Sequence, residues 1–224
     1  MKKLIPVLAL LGLATSAVAQ EKKETKPADA PKAAPATAPV VYKVGSKVDE
    51  TLKLTDLDGK SITFKDLRGK TVLIHFWSTQ CPFEIVADPK FTELEKRWKD
   101  NKDVVILAVD ANSTEIGAAP SPDMYAAIKK HQAEKGLTFP VYADHGNKLA
   151  DLFQAQSTPH CFVLNKEGTL VYAGGLDDDP KGDKGEATKH YARDAVEAAV
   201  AGKDVAVKES KSYGCGIKRI KPGA

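Results

Sequence analysis

Cysteine is scarce in this chain, and its number is odd. The 224 residues include only three cysteines, at Cys81, Cys161 and Cys215. Three thiols form at most one internal disulfide, so the sequence excludes a domain that depends on a disulfide framework. At least one thiol must stay free or pair with another molecule.

Long apolar runs are also lacking, apart from a short one near the N terminus. Residues 4–13 are mainly apolar, follow two lysines and precede the small residues Ala17-Val18-Ala19. The run is too short to cross a bilayer and ends at a cleavage site, which predicts a secretory signal peptide over residues 1–19. We therefore expect a periplasmic or secreted protein, cleaved near Gln20 and not inserted in the membrane afterwards.

Charge of one sign is not in excess. The formal net charge is +3, and lysine and glutamate are interspersed along the chain. This pattern gives no basic stripe for nucleic acid, so we expect no nucleic-acid partner. Internal repeats and a glycine-rich phosphate loop at a strand–helix junction are absent as well, and we predict no cofactor.

Composition divides the mature chain into three parts. Residues 20–42 are rich in Lys, Ala, Pro, Thr and Glu and contain no aromatic residue before Tyr42. Such a segment buries too little apolar surface to offset its ordering entropy, which predicts a disordered tether. We expect one domain over residues 43–203 and a C-terminal tail over residues 204–224 that carries Cys215.

Strand-like and helix-like patterns alternate within the predicted domain. The expected strands are 61–64, 71–77, 104–112, 139–144, 161–165 and 169–175, and the expected helices are 83–98, 121–136, 146–154 and 190–202. The continuous apolar run TVLIHFW at 71–77 is typical of a strand buried on both faces. The order predicts an α/β fold with a central mixed β-sheet and helices on both faces.

Cys81 stands between the strand at 71–77 and the helix that follows. Free amide groups and the helix dipole at a helix N terminus favour negative charge, which increases the thiolate fraction of a cysteine placed there. Pro82 suits the first position of a helix. We predict that Cys81 is a nucleophile; the alternative is a small buried apolar residue.

The stretch DLRGKTVLIHFWSTQCPFE at 66–84 resembles the thioredoxin-fold redoxins of the bacterial envelope, which have Phe-Trp-Ala-Thr-x-Cys-x-x-Cys after a strand. Pro89 stands where that family has a helix-kinking proline, and Thr158-Pro159 resembles its Thr-Pro, in which the proline is cis and faces the thiol. The resemblance implies a thioredoxin-like three-layer sandwich and redox activity on protein or small-molecule thiols and disulfides. The C-terminal YGCGIK resembles a branch related to the alkyl hydroperoxide reductase and thiol-specific antioxidant group.

The sequence departs from that motif at its second cysteine, which is replaced by Glu84. No disulfide can therefore form within the motif. Cys-Pro-x-Glu also resembles the peroxidatic motif of peroxiredoxins, with Ser78 three residues before the thiol, so peroxides are candidate partners. Two differences argue against peroxiredoxin catalysis, because Ile74 and Pro159 stand where those enzymes have a proline and an arginine.

A single attacking thiol needs a second thiol to release its product. Cys215 is the better candidate, because Gly214 and Gly216 flank it in a tail that is free to reach back; the alternative is a free or intermolecular thiol. Cys161 lies on a core strand and is expected to be a packing residue, with a minor resolving role left open.

Other side chains complete the candidate site. Glu84 is a candidate proton donor or acceptor for the thiol, and the alternative is a first-turn carboxylate favoured by the helix dipole. The resemblance implies that Thr158 presents its backbone to a bound partner and that Pro159 shapes the substrate groove. Trp77 is a candidate for lining this groove, with core packing as the alternative, and His160 is a candidate for hydrogen bonding near the thiol.

Two other functions remain open from the sequence. The fold can serve as a binding or scaffold protein that has lost its chemistry. Alternatively, the group His75, Cys81, His160 and Cys161 includes soft ligands for copper or zinc. A copper-delivery relative would have a second cysteine at position 85, which is Ile85 here, and we predict no metal site.

Overall fold

The computed structural model describes residues 40–220, and the predicted signal peptide and most of the predicted tether lie outside them. The strands are β1 Lys53–Thr55, β2 Ser61–Thr63, β3 Thr71–Trp77, β4 Val104–Asp110, β5 Val141–Ala143, β6 Ser157–Thr158, β7 His160–Leu164, β8 Leu170–Gly174 and β9 Cys215–Gly216. The α-helices are α1 Glu84–Trp98, α2 Ser113–Ile116, α3 Pro122–Lys135, α4 Lys148–Leu152 and α5 Tyr191–Val200. No helix in this part of the chain is long and apolar enough to span a bilayer.

Five strands form the central sheet, in the order β5-β4-β3-β7-β8. β3 and β4 are parallel, as are β4 and β5, whereas β7 runs antiparallel to both β3 and β8. The sheet is therefore mixed, as predicted. All seven residues of β3 are buried, because this strand lies at the centre of the sheet with layers on both faces.

The two faces of the sheet carry separate apolar clusters. Successive side chains of a strand point to opposite faces, so Leu73 and Trp77 join one cluster and Ile74 and Phe76 join the other. The first cluster includes Phe91 of α1 and buried residues of α3 and α5, and the second includes buried residues of α4. This arrangement confirms the predicted thioredoxin-like sandwich of three layers.

Two short elements and the start of the domain differ from the prediction. The hairpin strand β1 and the short helix α2 were not predicted, because three or four residues give too little periodicity to detect. The ordered domain begins slightly before residue 43, since Tyr42 is buried and its ring packs 5.2 Å from that of Phe153.

Candidate functional site

Cys81 lies at the end of β3, in the turn that leads to α1. The Glu84 N–H donates to the Cys81 carbonyl at 3.0 Å, and α1 begins at Glu84. The prediction that Pro82 occupies the first position of the helix is therefore wrong, because this turn precedes the helix. Pro89 lies inside α1. The Cys81 side chain is 3% exposed, and its thiol donates to the Thr158 carbonyl at 2.8 Å.

The segment opposite Cys81 holds Thr158 and Pro159, joined by a cis peptide bond. Thr158 forms the end of β6 and pairs with Cys215 of β9 in antiparallel register. The family resemblance implies that a bound partner would pair with the backbone of Thr158. Here the protein's own tail occupies that edge. Cys81 and Cys215 both contact Thr158, one through its carbonyl and the other across the strand pair.

Gly214 makes this close approach possible. A Cβ atom built on it would lie 2.0 Å from the Thr158 carbonyl oxygen, and its φ of +122° disfavours any other residue. Gly216 differs, because the nearest atom to a Cβ there is 4.0 Å away. The glycine before Cys215 is thus required by the strand pair, whereas the one after it is not.

The tail is fixed on both sides of Cys215. Before it, the Tyr213 hydroxyl donates to Asp177 at 2.9 Å, and the Tyr213 ring lies 6.2 Å from that of Phe83. After it, Ile217 is buried and donates to the Gln156 carbonyl at 3.1 Å. Further hydrogen bonds continue to the end of the described tail, to partners Asn112, Ser113, Asn147, Asp151 and Ala155. These contacts hold residues 213–220 beside the carboxyl end of β3, and we call this segment the strap.

The pKa of the Cys215 thiol depends in part on the neighbouring Cys81. Burial and, next in size, the adjacent Cys81 side chain raise the pKa of Cys215 to about 11. Cys215 is therefore a protonated thiol near neutral pH.

Glu84 is buried beneath the thiol and contacts His75. Its carboxyl oxygens lie 3.1 and 3.3 Å from the Nε2 atom of His75, whose ring stacks on Phe91. Burial raises the pKa of Glu84 well above its usual range, and the nearby Asp88 and Cys81 raise it further. Burial lowers the pKa of His75 well below its usual range. Burial therefore favours the neutral form of each group, and their hydrogen bond holds the Glu84 carboxyl group against the imidazole.

Trp77 does not line a groove, which corrects that prediction. It is fully buried because α1 and α3 both cover this face of the sheet, and its indole N–H donates to Asp88 at 2.9 Å. Burial raises the pKa of Asp88 to about 6. Trp77 thus supports the site by holding an acidic side chain that the sequence did not single out. Asp88 lies one helical turn after Glu84, a spacing that puts both on one face of α1.

His160 and Cys161 point to opposite faces of β7. The His160 ring packs 4.5 Å from that of Phe162 and accepts from the Gln156 N–H at 3.2 Å, so its hydrogen-bond partner is Gln156. Burial lowers the pKa of His160 to about 4, which keeps it neutral. Cys161 is fully buried in the core, and burial raises the pKa of its thiol well above its usual range.

Ser78 is engaged by a carboxylate that the sequence analysis missed. The Ser78 hydroxyl donates to Glu115, which also accepts from the Thr79 N–H at 2.8 Å. The nearby Asp110 is buried as well, and burial together with Glu115 raises its pKa well above the usual range. Ser78 is therefore bound to Glu115 rather than directed at Cys81. Glu115 lies in the short helix α2, which has no clear sequence pattern.

Metal-ligating residues do not gather in this site. Among residues 40–220, no three His, Cys, Asp or Glu side chains come together in a group that could hold a metal ion. His75 binds Glu84 and His160 binds Gln156, so the two histidines considered for copper have protein partners.

Comparison with known proteins identifies relatives of this arrangement. The family model described as the AhpC/TSA family matches residues 44–173. The thiol-disulfide oxidoreductase ResA of Bacillus thuringiensis strain Al Hakam is 36% identical over 118 residues, which are 53% of this chain and 62% of that protein. The match thus spans less than two thirds of that relative's length.

Solved structures extend the likeness over more of the chain. An uncharacterized conserved protein from Geobacillus kaustophilus is 27% identical, with a TM-score of 0.69 over 82% of this chain and 95% of that one. A hypothetical protein from Sinorhizobium meliloti 1021 is 24% identical, with a TM-score of 0.64 over 82% of this chain and 97% of that one, and shows the shared fold.

Proposed function

The chain belongs to the AhpC/TSA family, and from this kinship and the placement of its thiols we propose that it is a thiol–disulfide oxidoreductase in which Cys81 attacks and Cys215 resolves. The observation that carries the proposal is the strand pair between Thr158 and Cys215. It brings a thiol from the tail to the carbonyl that already binds the Cys81 thiol. The missing second cysteine of the motif is thereby replaced from a distant part of the chain.

The reaction follows from the positions of these groups. Cys81 loses its proton to solvent, and its thiolate attacks one sulfur of a substrate disulfide to form a mixed disulfide, while the other sulfur leaves as a thiolate. Glu84, protonated because it is buried, supplies a proton to that thiolate and regains one from solvent. Cys215 then attacks the Cys81 sulfur, which releases the second substrate thiol and leaves a Cys81–Cys215 disulfide. A dithiol reductant restores the two thiols.

The surroundings of Cys215 support this order of events. Burial holds the Cys215 thiol protonated near neutral pH, so Cys81 is the thiol that attacks the substrate and Cys215 attacks second. We expect the rate of resolution to rise with pH, because the pKa of Cys215 lies above neutrality.

Mass mapping of the reduced protein after one equivalent of hydroxyethyl disulfide tests the proposal. We expect a peptide linked through Cys81 and Cys215. Cys215→Ser should accumulate the mixed disulfide at Cys81, whereas the control Cys161→Ser should behave as wild type because Cys161 is buried in the core. An unmodified Cys81 would contradict the proposal and favour a scaffold function.

The same assay with one equivalent of hydrogen peroxide separates a peroxidase from a disulfide enzyme. Ser78 donates to Glu115 and not to Cys81, so we propose disulfides rather than peroxides as the principal substrates. Oxidation of Cys81 by peroxide as fast as by the disulfide would contradict this choice.

We also propose that the protein acts in the bacterial envelope. The support is the N-terminal sequence, whose charged, apolar and small-residue regions are typical of a cleaved signal peptide. An oxidising compartment is one in which a Cys81–Cys215 disulfide persists. N-terminal sequencing of the native protein tests this, and a chain that retains Met1 would contradict it.

A further inference from the structure

Cys81 has two different surroundings. The Thr158 edge is paired with Cys215, so the tail covers the thiol. A cleft of about 370 Å³ opens between α1 and α3; Cys81 and Glu84 contribute to its lining, and no residue of the tail does. This volume suits a small molecule. The cleft therefore offers a route to Cys81 for a reactant that leaves the tail in place.

Asp88 gives the cleft a fixed acidic group. Its side chain is 6% exposed and lines the cleft, and one of its oxygens accepts from the Trp77 indole. Within residues 40–220, the other oxygen, Oδ2, accepts no hydrogen bond. A carboxylate held in this way, with one oxygen unused, is suited to a ligand ammonium group.

Basic side chains line the same cleft. Lys96 of α1 and Lys135 of α3 are both exposed and contribute to its wall. Lys135 is close enough to Asp88 for its charge to act on that carboxylate. Opposite charges are therefore available within one small volume, and a ligand that carries both an ammonium and a carboxylate group complements them.

We propose that this cleft binds a low-molecular-weight disulfide of an amino-acid thiol, with the ligand ammonium on Asp88 and its carboxylate on Lys96 and Lys135. The inference rests on the proposed function and adds the substrate class and the route of entry. The bound disulfide presents a sulfur to Cys81 from the cleft.

The reaction on such a substrate balances without a further oxidant. The Cys81 thiol loses its proton, its sulfur forms a bond to one substrate sulfur, the substrate S–S bond breaks, and one amino-acid thiol leaves with a proton. Cys215 then forms the bond to the Cys81 sulfur and releases the second amino-acid thiol. The protein loses two electrons and two protons, which the substrate disulfide gains as two thiols.

Four small disulfides of different charge test the proposal on the reduced full-length protein. Cystine carries both charges at each end, hydroxyethyl disulfide is neutral, cystamine is cationic and dithiodiglycolate is anionic. The measurement is the second-order rate of oxidation of Cys81. We expect cystine to react about tenfold faster than the neutral probe, which corresponds to the free energy of one charge-assisted hydrogen bond. Cystine should also react faster than cystamine and dithiodiglycolate, each of which carries charge of only one sign.

Variants of the cleft locate the effect. Asp88→Asn and Lys135→Met should each reduce the ratio of the cystine rate to the neutral rate towards one. The ratio corrects for any change in the intrinsic reactivity of Cys81. Lys99→Met on the α1 side and Lys130→Met on the α3 side are matched controls outside the cleft, and they should keep the wild-type ratio.

Three outcomes would overturn the inference: equal rates for cystine and the neutral probe, equal rates for cystine and cystamine, or a ratio that both cleft variants leave unchanged. Lys135 is exposed, so its variant keeps the test decisive if Asp88→Asn folds poorly. Failure of Cys81 to react with any of the four disulfides would instead contradict the proposed oxidoreductase function.

Discussion

At the scale of single residues, the site is defined by ionisable groups that burial keeps neutral. Glu84 and His75 share a hydrogen bond beneath the thiol, and burial shifts the pKa of each towards its neutral form. Burying a charge without a close partner is costly, whereas a neutral acid can be buried and still donate a proton. Glu84 is therefore suited to protonate a leaving thiolate beside Cys81.

Replacing Glu84 with glutamine tests this proton transfer. The amide N–H of glutamine can still donate to His75, but it supplies no proton. We expect Glu84→Gln to slow mixed-disulfide formation with hydroxyethyl disulfide at least about tenfold, a conservative value for loss of a general acid. The control is Glu134→Gln, which removes an exposed carboxyl of α3 outside the cleft that Cys81 lines. Equal rates in wild type and Glu84→Gln would show that solvent supplies the proton.

Asp88 gives a second prediction, on stability. Its pKa is raised from 3.8 to about 6 in the folded protein, so the folded state holds the proton more tightly than the unfolded chain. Stability is therefore lost as pH rises from about 4 to about 6. Asp88→Asn keeps an acceptor for Trp77 and removes the charge. We expect it to be more stable than wild type by up to about 3 kcal/mol at pH 7 and equal to it at pH 3.5.

Urea unfolding of the reduced proteins at the two pH values measures this difference. Glu84 is present in both proteins, but the Asp88 charge raises its pKa, so the loss of that charge in Asp88→Asn adds to the expected difference at pH 7 in the same direction. A stability difference that does not change between pH 3.5 and pH 7 would contradict the assignment of a raised pKa to Asp88.

At the scale of elements, the short strand β9 decides how the site works. Two residues pair with β6, and hydrogen bonds on either side hold the tail in register. This strap raises the effective concentration of Cys215 at Cys81 by fixing both ends of a short segment. It also occupies the Thr158 edge, so an extended polypeptide substrate must displace it.

The two glycines around Cys215 provide a matched test of the strap. Gly214→Ala places a Cβ atom 2.0 Å from the Thr158 oxygen at a φ of +122°, whereas Gly216→Ala meets no atom closer than 4.0 Å. We expect Gly214→Ala to lower the effective concentration of Cys215 at least about tenfold, because the strand pair cannot form. Gly216→Ala should stay near wild type.

The measurement is the equilibrium between reduced protein and the Cys81–Cys215 disulfide in a buffer of a small thiol and its disulfide. The ratio of oxidised to reduced protein gives the effective concentration directly. Equal values for the two alanine variants would contradict the strand register.

At the scale of the whole molecule, the sheet places the reactive groups at one edge. β3 and β4 are parallel, and their carboxyl ends lead into Cys81 and into the segment that carries Glu115. Ligand sites of open α/β sheets lie at this edge. The tail follows α5 and reaches the same edge of the sheet. A disulfide between Cys81 and Cys215 would therefore link distant parts of the chain.

A disulfide between such distant residues should stabilise the whole domain. In the chain-entropy description, closing a loop of more than about 100 residues contributes about 5 kcal/mol, because it restricts the unfolded chain. We expect the oxidised protein to unfold at a higher urea concentration than the reduced one. Cys215→Ser should remove this difference, whereas Cys161→Ser should keep it. An oxidised protein no more stable than the reduced one would show that the disulfide strains the native fold.

The sequence by itself determined the α/β fold, most of the long elements and the place of Cys81. These follow from local patterns: a continuous apolar run for β3, Ser-Pro before α3 and glycine after it, and a thiol between strand and helix. The proximity of Cys215 was only a possibility in the sequence, because chain separation carries no information about distance in the fold.

Tertiary structure alone decided which groups surround the thiol. Trp77 is fully buried instead of lining a groove because two helices cover it, and His160 is engaged by the Gln156 backbone. Asp88 and Glu115 gained their neighbours from packing between elements, which no short motif encodes. The pairing of Cys215 with Thr158 has the same origin, since it depends on contacts along the whole tail rather than on the cysteine itself.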